Sequence, residues 1–376
     1  MSEILDTVRE QHRTNLERDR DTVLHGLPGE AYTSEAFLQR EFETVFSSTW
    51  VFVACAHEVA RPGDAMPVQV AGKPVLLVRN AQGELKAFHN VCRHRGVTLV
   101  DSPCRAARNF TCPYHAWSYD LDGRLEAAPH FGGFRKQEVE GFDRASHGLF
   151  PVRVDTFLDW VFVNLDGNAP PLEEYVQPLR RVTADFPVDS LTPLTGVDLG
   201  EVQTNWKFLM ENFIEPYHVS TVHSSTAAGQ PLQDHFSFIE EHCVGAGVDP
   251  KSTGGGDGQY LDMSARYVTL FPNFVLGIYL PDQVGVHVNV PVAPGVTRQR
   301  RVIYHMGDGP FPDRTQIEGL QRLWYDVHRE DHAICERLQK GRQSPAMADG
   351  GLMSGYWEDS ARAFQKMVMD HVNAND

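Results

Sequence analysis

The sequence predicts two domains, an all-β module followed by a larger domain of the α+β class. At 376 residues the chain exceeds the usual size of a single hydrophobic core. Residues 50–166 contain many short strand-like runs separated by turn signals, which is typical of antiparallel sheet. Residues 167–376 combine strand-like runs with long helical patterns, which predicts an antiparallel sheet with helices to one side of it.

The first domain is expected to be built from hairpins. Pro74–Arg79 and Glu84–Val91 alternate in the manner of strands around the turn Asn80–Gly83. Ala116–Tyr119 runs as a further strand into a turn at Asp120–Gly123. Short strands that end in tight turns leave several loop tips at one edge of such a module.

The second domain shows a different pattern. Arg266–Leu280 and Val284–Val292 indicate strands, and Asp313–Gly341 predicts a long amphipathic helix. The glycine-rich stretch at 254–258 has no strand-to-helix context for phosphate binding, so we expect a surface loop there. Residues 1–49 are helical and polar in pattern, and we expect them to pack on the second domain rather than form a unit of their own.

Charge and composition exclude several kinds of partner. A net charge of −16 and a pI near 5.5 argue against binding to nucleic acid or to an anionic membrane, since both would be repelled. No apolar run approaches the roughly 20 residues of a membrane helix, and the first residues are too charged for a signal peptide. The six cysteines show no spacing of a disulfide framework. These observations predict a cytoplasmic protein.

Two short motifs carry the strongest chemical signal. Cys92-Arg93-His94 and Cys112-Pro-Tyr-His115 offer two thiolates and two imidazoles, in the order found in Rieske [2Fe–2S] sites. The 17 residues between His94 and Cys112 suffice for two neighbouring hairpin loops, each with one Cys and one His. Neutral His ligands on one iron raise the potential of such a cluster, so an ordinary electron carrier can reduce it. A structural zinc site is the alternative, although its usual C-x₂₋₄-C and H-x₃₋₅-H spacings differ from these.

A second candidate metal site lies in the segment 205–223. His218 and His223 are five residues apart, which corresponds to about 140° around an ideal helix, so a regular helix cannot aim both at one ion. Pro216 provides a reason for a break, because it has no N–H for the preceding turn and its ring crowds the carbonyl there. We therefore expect the helix to be distorted here and His223 to lie past its end.

The long helix offers a third ligand. Asp331 falls on the apolar stripe of this helix, four residues after Val327 and three before Ile334. The stripe comprises Ile317, Leu320, Trp324, Val327, Ile334 and Leu338. A carboxylate that faces a core is costly unless it is paired or binds a metal. Pairing with Arg329 or Lys340 is the structural alternative. With His218 and His223, Asp331 would form the 2-His-1-carboxylate triad that leaves open positions on Fe(II).

These motifs resemble one known family over nearly the whole chain. Asn90–Gly96 and Cys112–Trp117 are similar to the Rieske domain of the aromatic-ring-hydroxylating and related Rieske non-haem iron oxygenases. Asn205–His223 and the pair Glu330-Asp331 are similar to the iron-ligand segments of the same family. The resemblance implies a Rieske domain at 50–166, a catalytic domain at 167–376 with helices and antiparallel sheet around a mononuclear iron, and O₂ as co-substrate.

The resemblance also assigns a role to Glu215. In this family an acidic residue joins a cluster His of one subunit to an iron-ligand His of the next, which implies a homotrimer. The bridging acid is typically Asp in ring dioxygenases, whereas Glu occurs in members that oxidise quaternary ammonium compounds. The chain has no G-x-G-x-x-G dinucleotide fingerprint and no four-Cys ferredoxin pattern, so its electrons must come from NAD(P)H through a separate flavin or iron–sulfur reductase.

The functional expectation is a terminal oxygenase that acts on a small organic substrate. Monooxygenation followed by C–N cleavage of a quaternary ammonium or N-alkyl compound is the first hypothesis. The alternatives are the α subunit of an aromatic-ring-hydroxylating dioxygenase and, more distantly, a Rieske electron carrier, which would not need the triad. Seven aromatic residues could surround a cationic substrate: Phe236, Phe238, Tyr267, Phe271, Phe274, Tyr279 and Trp324. Their spacing equally suits a core, so the sequence assigns no substrate-binding residue.

Overall fold

The computed structural model describes residues 24–224, 226–227, 230–249 and 264–374. The expectations for residues 1–23 and for the glycine-rich loop at 254–258 lie outside these ranges. The chain divides into two compact units. The β unit comprises Phe46–Glu174, and the α+β unit comprises the chain up to Val45 together with Tyr175 onward.

The β unit contains two antiparallel sheets. A six-stranded sheet has the order β2-β10-β9-β5-β4-β3, and a three-stranded sheet has the order β6-β7-β8. The strands are β2 (Val51–Cys55), β3 (Ala65–Val70), β4 (Lys73–Arg79), β5 (Leu85–His89), β6 (Phe110–Thr111), β7 (Ser118–Tyr119), β8 (Leu125–Ala127), β9 (Pro151–Phe157) and β10 (Trp160–Asn164). The strands predicted on either side of Asn80–Gly83 are confirmed as β4 and β5.

The hairpin turn between β4 and β5 shows how local chemistry sets the register. The side-chain oxygen of Asn80 accepts hydrogen bonds from the backbone of Gln82 at 3.1 Å and of Glu84 at 2.8 Å. Gly83 has a φ of +81°, which a residue without Cβ adopts at little cost. The turn therefore fixes which residues of the two strands lie opposite each other.

The α+β unit is built on a seven-stranded antiparallel sheet of order β11-β17-β16-β15-β14-β13-β12. Its strands are β11 (Leu191–Val202), β12 (His235–Glu240), β13 (Cys243–Val248), β14 (Ala265–Leu270), β15 (Phe274–Tyr279), β16 (Gln283–Ala293) and β17 (Val296–Met306), with a separate pair of β1 (Leu24–His25) and β18 (Leu352–Met353). The helices are α1 (Glu30–Thr33), α2 (Glu35–Glu41), α3 (Leu172–Tyr175, across the boundary of the units), α4 (Gln177–Val182), α5 (Trp206–Ile214), α6 (Val219–Val222), α7 (Arg314–Gly341) and α8 (Asp359–Asn373). The predicted α+β class is confirmed.

One predicted strand is in fact a hairpin. Arg266–Leu280 was expected to be continuous, but β14 and β15 are separate and pair with each other, with Leu270 opposite Phe274. The turn begins at Phe271, and Pro272 has no N–H to donate to a sheet ladder. Both strands are rich in apolar residues, so hydrophobicity alone did not mark the turn between them.

The long helix α7 begins as predicted. Asp313 caps it by accepting from the backbone N–H of Gln316 at 2.9 Å, and the side-chain oxygen of Gln316 accepts from the backbone N–H of Asp313 at 2.8 Å. The predicted apolar stripe is wrong at its C-terminal end, where Leu338 is 41% exposed and Cys335 and Gln339 are buried instead. The stripe positions repeat every 3.5 residues on average, whereas the helix has 3.6 residues per turn. A stripe that is buried at the start of the helix therefore rotates away from the buried face along its 28 residues.

Residues 24–45 contribute to the core of the α+β unit. Glu41 and Lys207 form an ion pair at 2.6 Å in which both side chains are fully buried. Glu41 also accepts from the indole N–H of Trp206 at 3.0 Å. A buried charge without its partner is strongly unfavourable, so this pair ties α2 to the start of α5.

In the part of the chain that the structure describes, no helix has both the length and the apolar character needed to cross a lipid bilayer.

Candidate metal centres and substrate pocket

The two Cys/His loops of the β unit share one hydrogen-bonded frame. The N–H of Cys92 donates to Val97, and the N–H of Gly96 donates back to Cys92. Cys112 exchanges the equivalent bonds with Trp117 and Ala116, at the same 2.8 and 3.0 Å. The fourth residue after each Cys has a positive φ, +77° at Gly96 and +57° at Ala116. The two motifs therefore form matching turns, as expected for a clamp with two loop tips.

The four predicted ligands differ in their solvent exposure. Cys92 and Cys112 are buried, whereas His94 is partly exposed and His115 is exposed. The rings of His94 and His115 lie 4.7 Å apart, and His94 stacks on the buried Trp117. Two buried thiols and two more exposed imidazoles match the donor set that would hold a Rieske cluster.

The buried side chain of Tyr119 contacts this site through its hydroxyl group. It lies 3.4 Å from the Cys92 sulfur and accepts a hydrogen bond from the backbone of Arg93 at 3.0 Å. Burial raises the pKa of the Cys92 thiol, and the nearby Cys112 thiol adds to this effect. A buried thiol with a raised pKa, such as that of Cys92, resists ionisation unless a cation accepts it as a thiolate. The donors present therefore fit an iron–sulfur cluster.

In the α+β unit, the predicted break in the helix is present. Helix α5 ends at Ile214, and Glu215 is extended, with φ −108° and ψ 130°. The one-turn helix α6 follows Pro216, with His218 at its N-terminal cap and His223 at its C-terminal cap. The break places both imidazoles beside α7, which a continuous helix would not do.

The two His and Asp331 come together as predicted. The Nε2 of His223 lies 3.0 Å from Oδ1 of Asp331, and the Nε2 of His218 lies 3.6 Å from the same oxygen. The three ligand atoms lie within 4.8 Å of one another. Asn212 donates to Oδ1 of Asp331 at 2.8 Å and so orients this carboxylate. The alternative pairing of Asp331 with Arg329 or Lys340 is absent from the ion pairs of the described residues.

Each imidazole is held by a carboxylate at Nδ1, the ring nitrogen on the side away from Asp331. The Nδ1 of His218 lies 2.6 Å from Glu215, and the Nδ1 of His223 lies 2.8 Å from Glu330. Glu215 also accepts hydrogen bonds from the backbone N–H groups of Tyr217 and His218, and Glu330 accepts a hydrogen bond from the side-chain hydroxyl of Thr226. A carboxylate on the far nitrogen fixes the tautomer that turns Nε2 toward a metal.

The electrostatics of this group favour a cation. Burial lowers the pKa of His223, but Asp331 and Glu330 outweigh this effect and raise it to about 9. Burial likewise opposes a charged His218, and Glu215 and Asp331 again raise the pKa. Burial raises the pKa of Asp331, yet the hydrogen bond from His223 and the charges of both imidazoles bring it below its ordinary value. A site that stabilises positive charge and supplies two nitrogens and one carboxylate suits a divalent iron.

Comparison with known families agrees with both sites. Residues 49–140 match the Rieske [2Fe–2S] domain, and residues 174–374 match the catalytic domain of the ring hydroxylating alpha subunit. The chain belongs to the ring-hydroxylating α-subunit family. It is therefore a Rieske non-haem iron oxygenase, and the predicted enzyme class and cofactors, a [2Fe–2S] cluster and a mononuclear iron, are confirmed. As an oxygenase component, it takes electrons from a separate reductase and acts on a small molecule.

The relatives of this oxygenase include several enzymes of quaternary ammonium compounds. It is 32% identical to a carnitine monooxygenase oxygenase subunit of Acinetobacter baumannii, over 90% of this chain and 93% of that protein. It is 33% identical to the corresponding subunit of Escherichia coli, over 85% and 84%. It is similar to the crystal structure of the quaternary ammonium Rieske monooxygenase CntA in complex with L-carnitine, with a TM-score of 0.79, 26% identity, and 93% of this chain and 96% of that chain covered.

A pocket opens beside the His218, His223 and Asp331 group of this oxygenase. It contains about 570 Å³ of space free of protein atoms, part of it open to solvent. Four aromatic residues line it: Phe213, Tyr267, Tyr279 and Trp324. Three of these were among the rings that the sequence offered without assigning, and the structure brings them together at the candidate metal centre.

Several contributing residues escaped prediction. Glu330 and Asn212 lie in segments that the resemblance included, but only the folded contacts show what they hold. Tyr119 belongs to a short strand whose pattern does not distinguish a sulfur contact from core packing. Arg301 also lines the pocket, and nothing in the alternation of its strand indicates that its side chain is buried.

Proposed function

We propose that this oxygenase hydroxylates a carbon next to nitrogen in a quaternary ammonium or N-alkyl compound, so that the product loses its C–N bond. The similarity to carnitine monooxygenase oxygenase subunits over 90% of the chain carries this proposal. The ring-lined pocket supports it, because aromatic faces attract alkylammonium groups that cannot donate hydrogen bonds.

The reaction balances as a monooxygenation. R₃N⁺–CH₂R′ reacts with O₂, NAD(P)H and H⁺ to give R₃N⁺–CH(OH)R′, NAD(P)⁺ and water. The carbinol then releases R₃N, the aldehyde R′CHO and a proton. The two electrons of NAD(P)H reduce the second oxygen atom to water, and they arrive through the reductase.

The site residues have distinct tasks in this proposal. Cys92, His94, Cys112 and His115 hold the [2Fe–2S] cluster. His218, His223 and Asp331 hold the mononuclear iron. When bound, the two groups supply electron storage and O₂ activation. Glu330 keeps His223 oriented by accepting from its Nδ1 at 2.8 Å.

Glu215 serves as the bridge between subunits. One of its oxygens lies 2.6 Å from His218 Nδ1, while backbone N–H groups of Tyr217 and His218 hold the other. A carboxylate in this position fixes the imidazole and can link it to a second imidazole by hydrogen bonds. The second imidazole would be a cluster His of the neighbouring subunit.

A homotrimer follows from the same proposal. His115 is exposed, and the aromatic side chains of Tyr114 and Phe131, which contact His115 and His94, are 54% and 39% exposed. Exposed aromatic residues beside a redox site favour contact with another protein surface. We also place the oxygenase in the cytoplasm, where its cysteines, all six within the described residues and none in a disulfide, would stay reduced.

Ring dihydroxylation is the second candidate. The chain is 30% identical to the biphenyl 2,3-dioxygenase α subunit of Rhodococcus jostii, over 78% of this chain and 64% of that protein. Aromatic walls can stack on an aromatic substrate as well as surround an ammonium group. The two candidates differ in their products.

A single turnover separates the two. The dithionite-reduced oxygenase would be exposed to ¹⁸O₂ with betaines, carnitine-like amines and aromatic acids, and the products read by mass spectrometry. A dealkylated amine with a stoichiometric aldehyde is expected, and samples without O₂ are the control. A cis-dihydrodiol carrying two ¹⁸O atoms would contradict the proposal and favour the dioxygenase.

A further inference from the structure

Arg301 projects a charged side chain into the buried part of the pocket. It lies on β17, and its residue is only 1% exposed. The neighbouring strand makes room for it at Gly285, where an added Cβ would stand 2.2 Å from Nη2 and 2.4 Å from Cζ of Arg301. Any side chain at position 285 would therefore displace the guanidinium, so the strand pair is built around this group.

The guanidinium has few polar contacts. Its Nη1 donates to Nε2 of His287 at 2.8 Å, and Cζ lies 3.6 Å above the ring of Trp324. The hydroxyl of Tyr279 also interacts with the guanidinium, but Nε and Nη2 are buried and neither makes a hydrogen bond of standard geometry. No ion pair of the described residues includes it. Burial lowers the pKa of Arg301, but a guanidinium remains protonated at neutral pH.

Other buried polar atoms in the same pocket lack hydrogen-bond partners. Gln230 accepts from the hydroxyl of Tyr267 at 2.7 Å, while its own amide nitrogen is buried and unpaired. The Nε2 of His328 is also buried without a partner. Native proteins rarely leave buried donors unpaired, and an unpaired buried charge is more costly still. A ligand rich in acceptor oxygens would satisfy this part of the pocket.

We infer that Arg301 binds an anionic group of the substrate, so that the oxygenase selects N-alkyl compounds that also carry a carboxylate. The identity of the N-alkyl end of the substrate rests on the proposed function, whereas the presence of an anionic group is inferred from Arg301 alone. A carboxylate can accept two parallel hydrogen bonds from the free Nε and Nη2 of the guanidinium.

The positive charge of Arg301 also determines which class of ammonium compound binds in the pocket. A substrate with only a positive charge would enter a pocket that already holds an uncompensated cation, and the repulsion is strong in a buried site. A zwitterion compensates Arg301 with its carboxylate and leaves its ammonium group for the aromatic faces. Betaines are therefore favoured over amino alcohols without an acid group.

The test varies the two ends of the substrate independently. Four compounds would be compared: a trimethylammonium alkanoate, its terminal amide, an aryl carboxylate of similar length, and the corresponding aryl amide. The kcat/KM of substrate-dependent product formation is measured with the complete reductase system. We expect the carboxylate to exceed its amide by about tenfold to a hundredfold, the range of a charged hydrogen bond.

The ammonium end of the substrate tests the proposed function, and the carboxylate end tests the role of Arg301. Equal use of the ammonium carboxylate and its amide would overturn the role of Arg301 and leave the proposed function standing. Oxidation of the aryl carboxylate alone would overturn the proposed function, while its preference over the aryl amide would support Arg301. The comparison uses the wild-type enzyme, so it does not depend on the folding of any variant.

Substitution of Arg301 adds a signature that a structural residue would not give. Arg301→Met removes an unpaired buried charge, so we expect the substrate-free protein to melt at a higher temperature while the carboxylate-to-amide ratio falls toward one. Arg300→Met is the matched control, since adjacent side chains of a strand point to opposite faces. A lower melting temperature with an unchanged ratio would mean that Arg301 only supports the fold.

Discussion

The two metal centres are assembled in opposite ways. The proposed cluster ligands come from two matching turns between Cys92 and His115, and their imidazoles are at the surface. The proposed iron ligands come from a broken helix and from a second helix more than a hundred residues later, and carboxylates hold both imidazoles from behind. One centre is local and open, and the other depends on tertiary packing.

This difference predicts which substitutions change only the substituted position and which also disturb the geometry of the surrounding site. A turn defined by its own backbone bonds keeps its shape when a ligand changes. A site that joins distant segments loses its geometry when one contact fails, because no local element holds it in place. The predictions below test this contrast, beginning with the largest effect.

The largest effect is expected at Asp331. Asp331→Ala removes the ligand that α7 contributes, so mononuclear iron and substrate oxidation should both be lost, while the visible spectrum of the cluster stays unchanged. Iron content by mass spectrometry and the cluster spectrum measure the two outcomes separately. Full iron content and turnover in this variant would show that Asp331 is not a ligand.

Glu215 and Glu330 hold equivalent positions behind the two His but should differ in effect. Glu215→Ala is expected to keep both metals and to lose steady-state oxidation, because it interrupts electron transfer. Glu330→Gln should instead weaken iron binding, by about 10- to 100-fold as is usual for an outer-shell partner, and regain activity with added Fe(II). Loss of iron from Glu215→Ala would make this residue a structural support rather than a bridge.

At the local centre, His94→Cys should change the potential and little else. A thiolate adds negative charge to the cluster, so the midpoint potential should fall toward the range of four-Cys clusters. Potentiometry followed by the visible spectrum measures this change, and the mononuclear iron content serves as control. A spectrum and potential identical to those of the wild type would exclude His94 as a ligand.

The α+β unit should respond to pH through Glu211. This buried carboxyl accepts from Tyr32 at 2.8 Å, and burial raises its pKa to about 7. An acid whose pKa is higher in the folded state stabilises below the unfolded pKa of 4.5 and loses that contribution as pH rises through about 7. Melting curves at pH 6 and pH 8 should show a smaller decrease for Glu211→Gln than for the wild type. An equal decrease in both proteins would contradict the assignment.

The smallest effects concern the two matching turns. Ala116 has a φ of +57°, and Gly96, at +77°, has no atom nearer than 4.0 Å to an added Cβ. We expect Ala116→Gly to stabilise slightly and Gly96→Ala to destabilise by about 1 kcal/mol, since only glycine is unstrained there. Denaturant unfolding of the holoprotein measures both. Shifts in the same direction for both variants would show that backbone strain does not control these turns.

The sequence predicted the local features best. The cluster motifs, the hairpin at Asn80, the start of the long helix at Asp313 and the break at Pro216 all depend on residues close together in the chain, and each was found where expected. The fold class and the meeting of His218, His223 and Asp331 also followed from patterns. Arg301, Glu330 and Gly285 could not be foreseen, because their partners lie on neighbouring strands or helices and periodicity does not specify a register.

The shared frame of the two Cys loops has a consequence for how such sites are recognised. The frame closes between Cys92 and Val97 and between Cys112 and Trp117, over the same number of residues. The imidazole, however, comes from the second residue after one Cys and from the third after the other. What the two halves have in common is therefore a conformation rather than a spacing. A search for distant relatives should align the left-handed residue at the fourth position after each Cys and let the position of the His vary within the loop.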